Sequence, residues 1–247
     1  MNPPPFVGTA GWTVPARYAE SVPSGASHLE RYARVLNAAE INSSFHRPHR
    51  RSTYERWAAS TPPDFRFSAK LPKAITHQKR LVGCEPELDR FAEEVAGLGG
   101  KLALLLVQMP PSAALEIAAV QAFIAAAGQR FDQPLAFEPR HASWFTPEAD
   151  TWLAGQGVCR AAADPARVPE AAEPGGDTRL VYYRWHGSPR MYASDYDASA
   201  LDALSARLRQ YHAAGCNVWC MFDNTMSGAA LGNALSLARS LHGLGAS

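Results

Sequence analysis

Leu102-Ala-Leu-Leu-Leu-Val-Gln-Met109 is an almost continuous apolar run, stopped by Pro110-Pro111. A strand with one wet face alternates apolar and polar residues. A run without alternation belongs to a strand buried on both faces, the mark of a parallel sheet covered by helices. Similar short strands recur on either side. Phe6–Trp12, Ala38–Ser43 and Phe65–Lys70 precede it; Leu135–Arg140, Val158–Asp164, Leu180–His186 and Asn217–Asn224 follow. Helical segments separate them. Ser27-x-x-Glu30 and Ser52-x-x-Glu55 read as capping boxes, and Thr146-Pro147-Glu148 places a cap before a proline at the first helical position. Further helices are expected over Glu85–Leu98, Ala113–Ala127, Asp197–Ala214 and Gly228–Leu241.

Eight strand–helix units in strict alternation predict parallel strands with helical crossovers. At 247 residues they predict one (β/α)8 TIM-type barrel domain over residues 1–247. The Pro-, Gly- and Ala-rich stretch Pro165–Thr178 reads as an irregular excursion, not a linker. A doubly wound open sheet is the competing architecture. No Gly-x-Gly-x-x-Gly follows a strand and no Gly-x4-Gly-Lys-Ser/Thr occurs, which weakens dinucleotide and P-loop readings.

Hydrophobic residues make up 47% of the chain, enough for a sizeable core, and the net charge is only +1. Global charge therefore gives no case for a nucleic-acid or membrane-surface protein. No run approaches the ~20 apolar residues that span a bilayer, and no basic flank with a long apolar run opens the chain. Cys84, Cys159, Cys216 and Cys220 form no Cys-x-x-Cys pair and read as reduced core residues. A cytoplasmic protein without a membrane partner is the expectation.

Side chains alternate along a strand, so the apolar parity assigns the polar one to the barrel axis. This sends Glu40 and Asn42, Ser68 and Lys70, Glu138 and Arg140, and Tyr182, Arg184 and His186 inward. Gln108 and Asp164 close their strands, and Asp223 and Asn224 are not separated by parity. The polar residues gather at the C-terminal strand ends, the face that carries active sites in barrel enzymes.

Several of these residues stand in longer motifs. Gly8-Thr-Ala-Gly-Trp12, Glu40-Ile-Asn-Ser-Ser-Phe45, Phe67-Ser-Ala-Lys70 with Ile75-Thr-His77, Glu138-x-Arg-His-x-Ser-Trp144, Tyr183-x-Trp-His-Gly187 and Phe222-x-Asn224 with Asn233-Ala234 occur in that order. Together they resemble domain-of-unknown-function family 72, the YecE-like proteins, over essentially the whole chain. The resemblance implies a (β/α)8 barrel with a polar pocket at the strand C-termini, and no particular reaction. Two departures stand out: Asp223 where the family leads one to expect Asn, and Ala142 where Pro often follows the histidine.

The residues themselves suggest an enzyme acting on a small polar anion that contains phosphate or sugar; hydrolase, lyase and isomerase chemistry all fit. Glu138, His186 and Glu40 are the candidate catalytic groups. Lys70, Arg140 and Arg184 would bind the anion, joined by Asn42, His141, Trp12, Trp144 and Asn224 around the substrate. Nearby carboxylates are expected to hold the Lys70 pKa up, which favours anion binding over Schiff-base chemistry. Gly187-Ser188 and Gly228 suggest a phosphate site at the last two strand ends. No cofactor is assigned. One alternative is a metal-dependent phosphodiesterase or nuclease using Glu40, Glu138, Asp164 and a histidine. Another is a non-catalytic nucleic-acid- or metabolite-binding protein using the basic loop His46–Arg51; a nucleic-acid partner ranks below the small anion.

Overall fold

The structure is a computed structural model that describes residues 3–241. Ten strands form: β1 Phe6–Thr9, β2 Ala38–Ile41, β3 Arg66–Lys70, β4 Leu102–Gln108, β5 Leu135–Glu138, β6 Cys159–Arg160, β7 Ala162–Asp164, β8 Gly175–Gly176, β9 Leu180–Trp185 and β10 Asn217–Phe222. The helices are α1 His28–Tyr32, α2 Arg51–Ala59, α3 Glu85–Val95, α4 Ile117–Gly128, α5 Pro147–Gly155, α6 Ala198–Ala213 and α7 Ala229–Leu241.

The strands pair as β1-β10-β9-β7 and as β2-β3-β4-β5-β6-β8. Two links run between these sheets. Ala10, just past β1, bridges Glu40 of β2 in parallel fashion. The segment expected as the single strand Val158–Asp164 is interrupted at Ala161, and its halves pair on opposite sides, β6 with β5 and β7 with β9. Every ladder is parallel except β6 with β8, so the expectation of uniformly parallel strands fails at the 165–178 excursion. There the Arg160 guanidinium reaches Asp150 of α5 (2.7 and 2.8 Å) and the carbonyls of Glu170 and Glu173, and the Gly176 amide donates to Asp150. A bidentate pair, buried on the Arg160 side, thus ties the excursion to the sheet.

The packing divides by strand parity. Phe6, Ala38, Leu104, Leu106, Ala136, Cys159, Ala161, Leu180, Tyr182, Trp219 and Met221 form a cluster from the strands and the Ala161 junction alone, with no helical member. The opposite parity joins the helices in a larger cluster: Val7, Ala39, Ile41, Phe67, Leu105, Val107, Phe137, Val181, Tyr183, Val218 and Cys220 lie there with Leu88, Phe123, Leu208 and Leu237. Phe6 stacks on Trp219 at 4.4 Å between ring centroids, worth about 0.5–1.5 kcal/mol beyond its burial. Gly8 lets β1 close on β2, because a Cβ there would overlap the Ala38 carbonyl.

Local chemistry explains most helix starts. Thr146 accepts from the Ala149 amide, and Asp197 accepts from that of Ala200. Ser27 accepts from the Glu30 amide as expected, and the helix it opens is short, ending at Tyr32. The second capping box does not form. Arg50 is the N-cap of α2, Ser52 lies inside the helix, and Glu55 pairs with exposed Arg51. Cys84, Cys159 and Cys220 are buried thiols, and burial pushes Cys159 up to about 12. Among the described residues no helix is long and apolar enough to cross a membrane.

Candidate functional site

The site is built on alternate residues of β9. Tyr182, Arg184 and the following His186 point the same way. They meet Glu40 of β2, Ser68 and Lys70 of β3, Gln108 of β4, Glu138 of β5 and Asp223 after β10. Lys70, Gln108 and Glu138 end their strands, His186 and Asp223 directly follow theirs, and Glu40 and Arg184 are second to last in theirs, Glu40 in register with Ser68.

Arg184 is the hub. It is fully buried, at 0% exposure. Its Nε and Nη2 donate to the two oxygens of Glu40 at 2.8 and 2.6 Å. Nη1 donates to Glu138 Oε2 at 2.6 Å, and Nη2 lies 3.2 Å from Asp223 Oδ2. A guanidinium fits this task because its donors form a rigid planar fork. Tyr182 completes the Glu40 shell, donating to Oε2 at 2.9 Å while its oxygen lies 2.8 Å from Ser68 Oγ.

Glu138 is equally enclosed. Besides Arg184 it accepts from Gln108 (3.2 Å), Arg140 (3.0 Å) and His186 Nε2 (2.9 Å). Burial alone would raise its pKa, but the charges of Arg184, His186 and Arg140 outweigh that and hold it well below the ordinary carboxylate value. His186 lies between two carboxylates, with Nδ1 3.0 Å from Asp223 Oδ2 and Arg184 Nη1 more distant at 3.5 Å. Carboxylates only accept, so both ring nitrogens carry protons and the ring is an imidazolium. Its pKa is raised: burial opposes the charge, and Glu138 with the two hydrogen bonds overrides it. Asp223 is lowered, burial being outweighed by Arg184 and His186. Three acidic side chains (Glu40, Glu138 and Asp223) therefore face four basic ones (Arg140, Arg184, His186 and Lys70).

Lys70 differs from its neighbours. It is 5% exposed. Its Nζ lies 4.1 Å over the Phe45 ring, and among the described residues it has no hydrogen-bond acceptor and no carboxylate within salt-bridge distance. Burial, then Arg184, lower its pKa to about 8, against the pull of Glu40, Glu138 and Asp223. The carboxylates do pull it up as expected, but burial and then the Arg184 charge outweigh them. Phe45 is placed by the turn Ser43–Phe45, where Ser44 Oγ reaches the carbonyls of Ile41 (2.9 Å) and Lys70 (2.6 Å). His77 packs edge-on against the other side of that neighbourhood, 4.9 Å from Phe45.

Several expected site residues do other work. Trp144 is fully buried, stacks on Phe137 and donates Nε1 to the Ala113 carbonyl, so it belongs to the core. Asp164 has the parity that faces the helices and accepts from the Tyr196 hydroxyl at 2.6 Å. Parity also separates the last pair: Asp223 continues Trp219 and Met221 into the site. Asn224 turns away, donating to Ser194 O and Asn233 Oδ1, both at 2.8 Å. Glu40 and Arg184 are both at 0% exposure, and both Glu40 oxygens accept from Arg184, which also donates to Glu138 and Asp223. His141 caps the turn Ala142–Trp144 through Ser143. Trp12 packs edge-on against Trp57 and Phe67. Asn42 follows β2 with its buried Oδ1 unbonded. The Gly187 amide donates to Tyr196 and that of Gly228 to Thr225, so neither is open to a phosphate. Among the described residues no group of three or more His, Cys, Asp or Glu side chains is arranged to hold a metal ion.

Tyr192 was not legible as a site residue. It has φ +65°, and its ring stands edge-on to His186 at 5.6 Å. The loop carrying it is held by Asn224 and by Ser227, whose hydroxyl donates to Ala193 O at 2.5 Å. The one available signal was an aromatic residue in the Gly- and Pro-containing loop directly after a strand. Under this cover, Glu138, Arg140, Arg167, His186 and Met191 line a cavity of about 20 Å³, close to the size of a single water. A larger groove of about 260 Å³ runs along Phe45, Arg47, Lys73 and Arg90.

Comparison with known proteins gives a consistent result. The family model "Protein of unknown function DUF72" matches residues 6–246. YecE of Escherichia coli (strain K12), a UPF0759 protein, is 30% identical over 105 residues; that match covers 42% of this chain and 37% of YecE, so the chain spans little more than a third of that relative. YunF of Bacillus subtilis (strain 168), another UPF0759 protein, is 22% identical over 92% of this chain and 91% of its own. The crystal structure of a DUF72 family protein from Thermotoga maritima MSB8 superposes with a TM-score of 0.78 at 22% identity, covering 96% of this chain and 98% of that one. At that identity the likeness establishes the fold.

Proposed function

We propose, for a chain that belongs to the DUF72 family, an enzyme that acts on a small polar anion containing phosphate or sugar, at the C-terminal strand ends of a (β/α)8 barrel. Support for the barrel comes from the two links between the sheets. With β6 and β7 taken as one interrupted strand, the pairings run β1-β2-β3-β4-β5-β6/β7-β9-β10 and return to β1. The strand-built cluster then fills the interior, and the polar residues form its C-terminal layer.

One observation carries the functional reading: a buried network of three acidic and four basic side chains in which, among the described residues, Lys70 donates no hydrogen bond and Arg140 keeps part of its side chain exposed. Arg140 keeps 14% of its side chain exposed and gives one hydrogen bond to Glu138. His77, edge-on to Phe45, feels the charges of both Lys70 and Arg140, so an anion admitted beside Phe45 would be drawn by both cations while leaving the Arg184 hub intact. His186 holds a proton against Glu138 at the wall of the small cavity, so these two form the proton-transfer pair, with His186 as the acid. Glu138 fixes the imidazolium and takes the proton only transiently, since its low pKa makes it a poor resting acid.

Calorimetric titration with inorganic phosphate and glucose 6-phosphate tests this reading. Saturable binding is expected, weakened about tenfold or more, roughly 1.4 kcal/mol, by Lys70→Met or Arg140→Met. Absence of binding at millimolar concentration, or binding untouched by both substitutions, refutes it.

A further inference from the structure

We propose that Lys70 is a nucleophilic amine that forms an imine with an aldehyde or keto group of a small anion, whose charge Arg140 holds. This deepens the anion-site reading above and rests on it. The argument starts from hydrogen bonding. A buried ammonium normally gathers acceptors, because leaving its charge unpaired is costly. Lys70 Nζ has instead an aromatic face at 4.1 Å and no hydrogen-bonded acceptor among the described residues. The other lysines are Lys73, Lys79 and Lys101. Lys73 is exposed, Lys79 is bonded to Glu87 and Gly83 O, and Lys101 to Ala58 O, Thr61 O and Thr61 Oγ1.

The charges facing Lys70 complete the case. Arg184 and the burial itself disfavour the ammonium; Glu40, Glu138 and Asp223 favour it but are engaged elsewhere. His77 feels Lys70, Lys73 and Arg140, and its own pKa is lowered by burial and then by them. The outcome is a pKa of about 8, so a large share of Lys70 is neutral amine near pH 8, against well under 1% for a lysine at the ordinary value. Its lone pair can attack a carbonyl carbon. A C–N bond forms, the carbonyl oxygen becomes a hydroxyl, and that hydroxyl leaves as water with a proton supplied through His186. The nitrogen gives up both of its hydrogens, leaving C=N and one released water.

The test uses the intact protein at pH 8 with glyoxylate or acetaldehyde, each with sodium cyanoborohydride, whose hydride reduces the imine to a stable secondary amine. Peptide mass mapping gives the modification rate at each lysine. The neutral-amine fractions differ roughly a hundredfold, and restricted access to a buried site reduces this, so Lys70 is expected to react with glyoxylate at least about tenfold faster than exposed Lys73. The fast adduct is absent in Lys70→Met, and Arg140→Met slows glyoxylate but not acetaldehyde. If Lys70 reacts no faster than Lys73 with either aldehyde, the amine proposal is overturned, even where phosphate binding persists. Equal preference for Lys70 with both aldehydes retains the amine and overturns the anionic part, which is the failure of the site reading itself.

Discussion

Replacing Arg184 by Met removes the centre of the network and keeps roughly its volume. The consequences differ among its three carboxylates. Glu138 retains Arg140, Gln108 and His186, and Asp223 retains His186. Among the described residues Glu40 is left with the Tyr182 hydroxyl alone. Stranding one buried partner costs about 3–5 kcal/mol, so Arg184→Met is expected to lose roughly 4 kcal/mol, most of it at Glu40. For a chain of this length each kcal/mol shifts the midpoint by about 2–4 °C, which predicts a fall of roughly 8–16 °C in thermal unfolding. Glu40→Gln added to Arg184→Met removes the stranded charge, so the double variant should regain at least about 2 kcal/mol relative to Arg184→Met. Urea and thermal unfolding of the wild type, both single variants and the double variant measure this coupling. A loss below about 1 kcal/mol in Arg184→Met, or a double variant no more stable than Arg184→Met, would show that Glu40 is not held by Arg184 as described.

Lys70→Met should stabilise the protein at neutral pH. The folded pKa of about 8 lies below the ordinary 10.5, so the unfolded chain binds more protons between those values and wild-type stability rises with pH across that window, by about 3 kcal/mol at most. The variant lacks this rise, and its advantage in thermal unfolding should shrink from pH 8 to pH 10.5. His186 behaves oppositely. Its folded pKa is raised, so its contribution is complete below about pH 6.5 and is lost as pH climbs through the raised value. NMR titration of the His186 ring should show it protonated at pH 7, and His186→Gln should flatten that part of the stability profile. Gly8→Ala should cost about 1–3 kcal/mol through overlap with the Ala38 carbonyl, read as a lower urea midpoint; an unchanged midpoint would mean that β1 does not approach β2 so closely.

Strand parity made much of the site legible. The apolar alternation of Val181, Tyr183 and Trp185 implied that Tyr182, Arg184 and His186 share the opposite face, and Arg184 does meet Glu40 and Glu138 there. The same rule failed at Asp164 for a local reason. Its segment breaks at Ala161, and the residue that ends it answers Tyr196 on the helix side. Capping boxes illustrate a second limit: Ser27 and Ser52 stand in the same pattern with Glu, yet only Ser27 caps, because α2 already begins at Arg51. Trp144 lay outside what spacing can decide. Its residue type suits substrate stacking or core filling equally, and contact with Phe137 and Ala113 assigns it to the core.

Lys70 shows why neighbouring charges cannot simply be counted along a sequence. Three carboxylates at one strand layer imply a field that stabilises an ammonium. The distances reverse this, because Arg184 takes up both Glu40 oxygens and one from each of Glu138 and Asp223, while His186 shares the last two residues. Those negative charges are largely neutralised before they act on Lys70, and the Arg184 charge acts on it directly. Burial strips the ammonium of water, and the Phe45 face 4.1 Å away replaces only part of that hydration, with no carboxylate hydrogen bond to add to it. The same hub that keeps Glu138 and Asp223 ionised therefore leaves Lys70 as the group in the cluster whose protonation is readily reversed near neutral pH. On this argument, weakening the hub with Glu40→Gln exposes Lys70 to a more positive surrounding and should lower its pKa further, moving the pH midpoint of glyoxylate trapping downward; a midpoint that moves upward would show that Glu40 acts on Lys70 chiefly through Arg184's position and not through its charge.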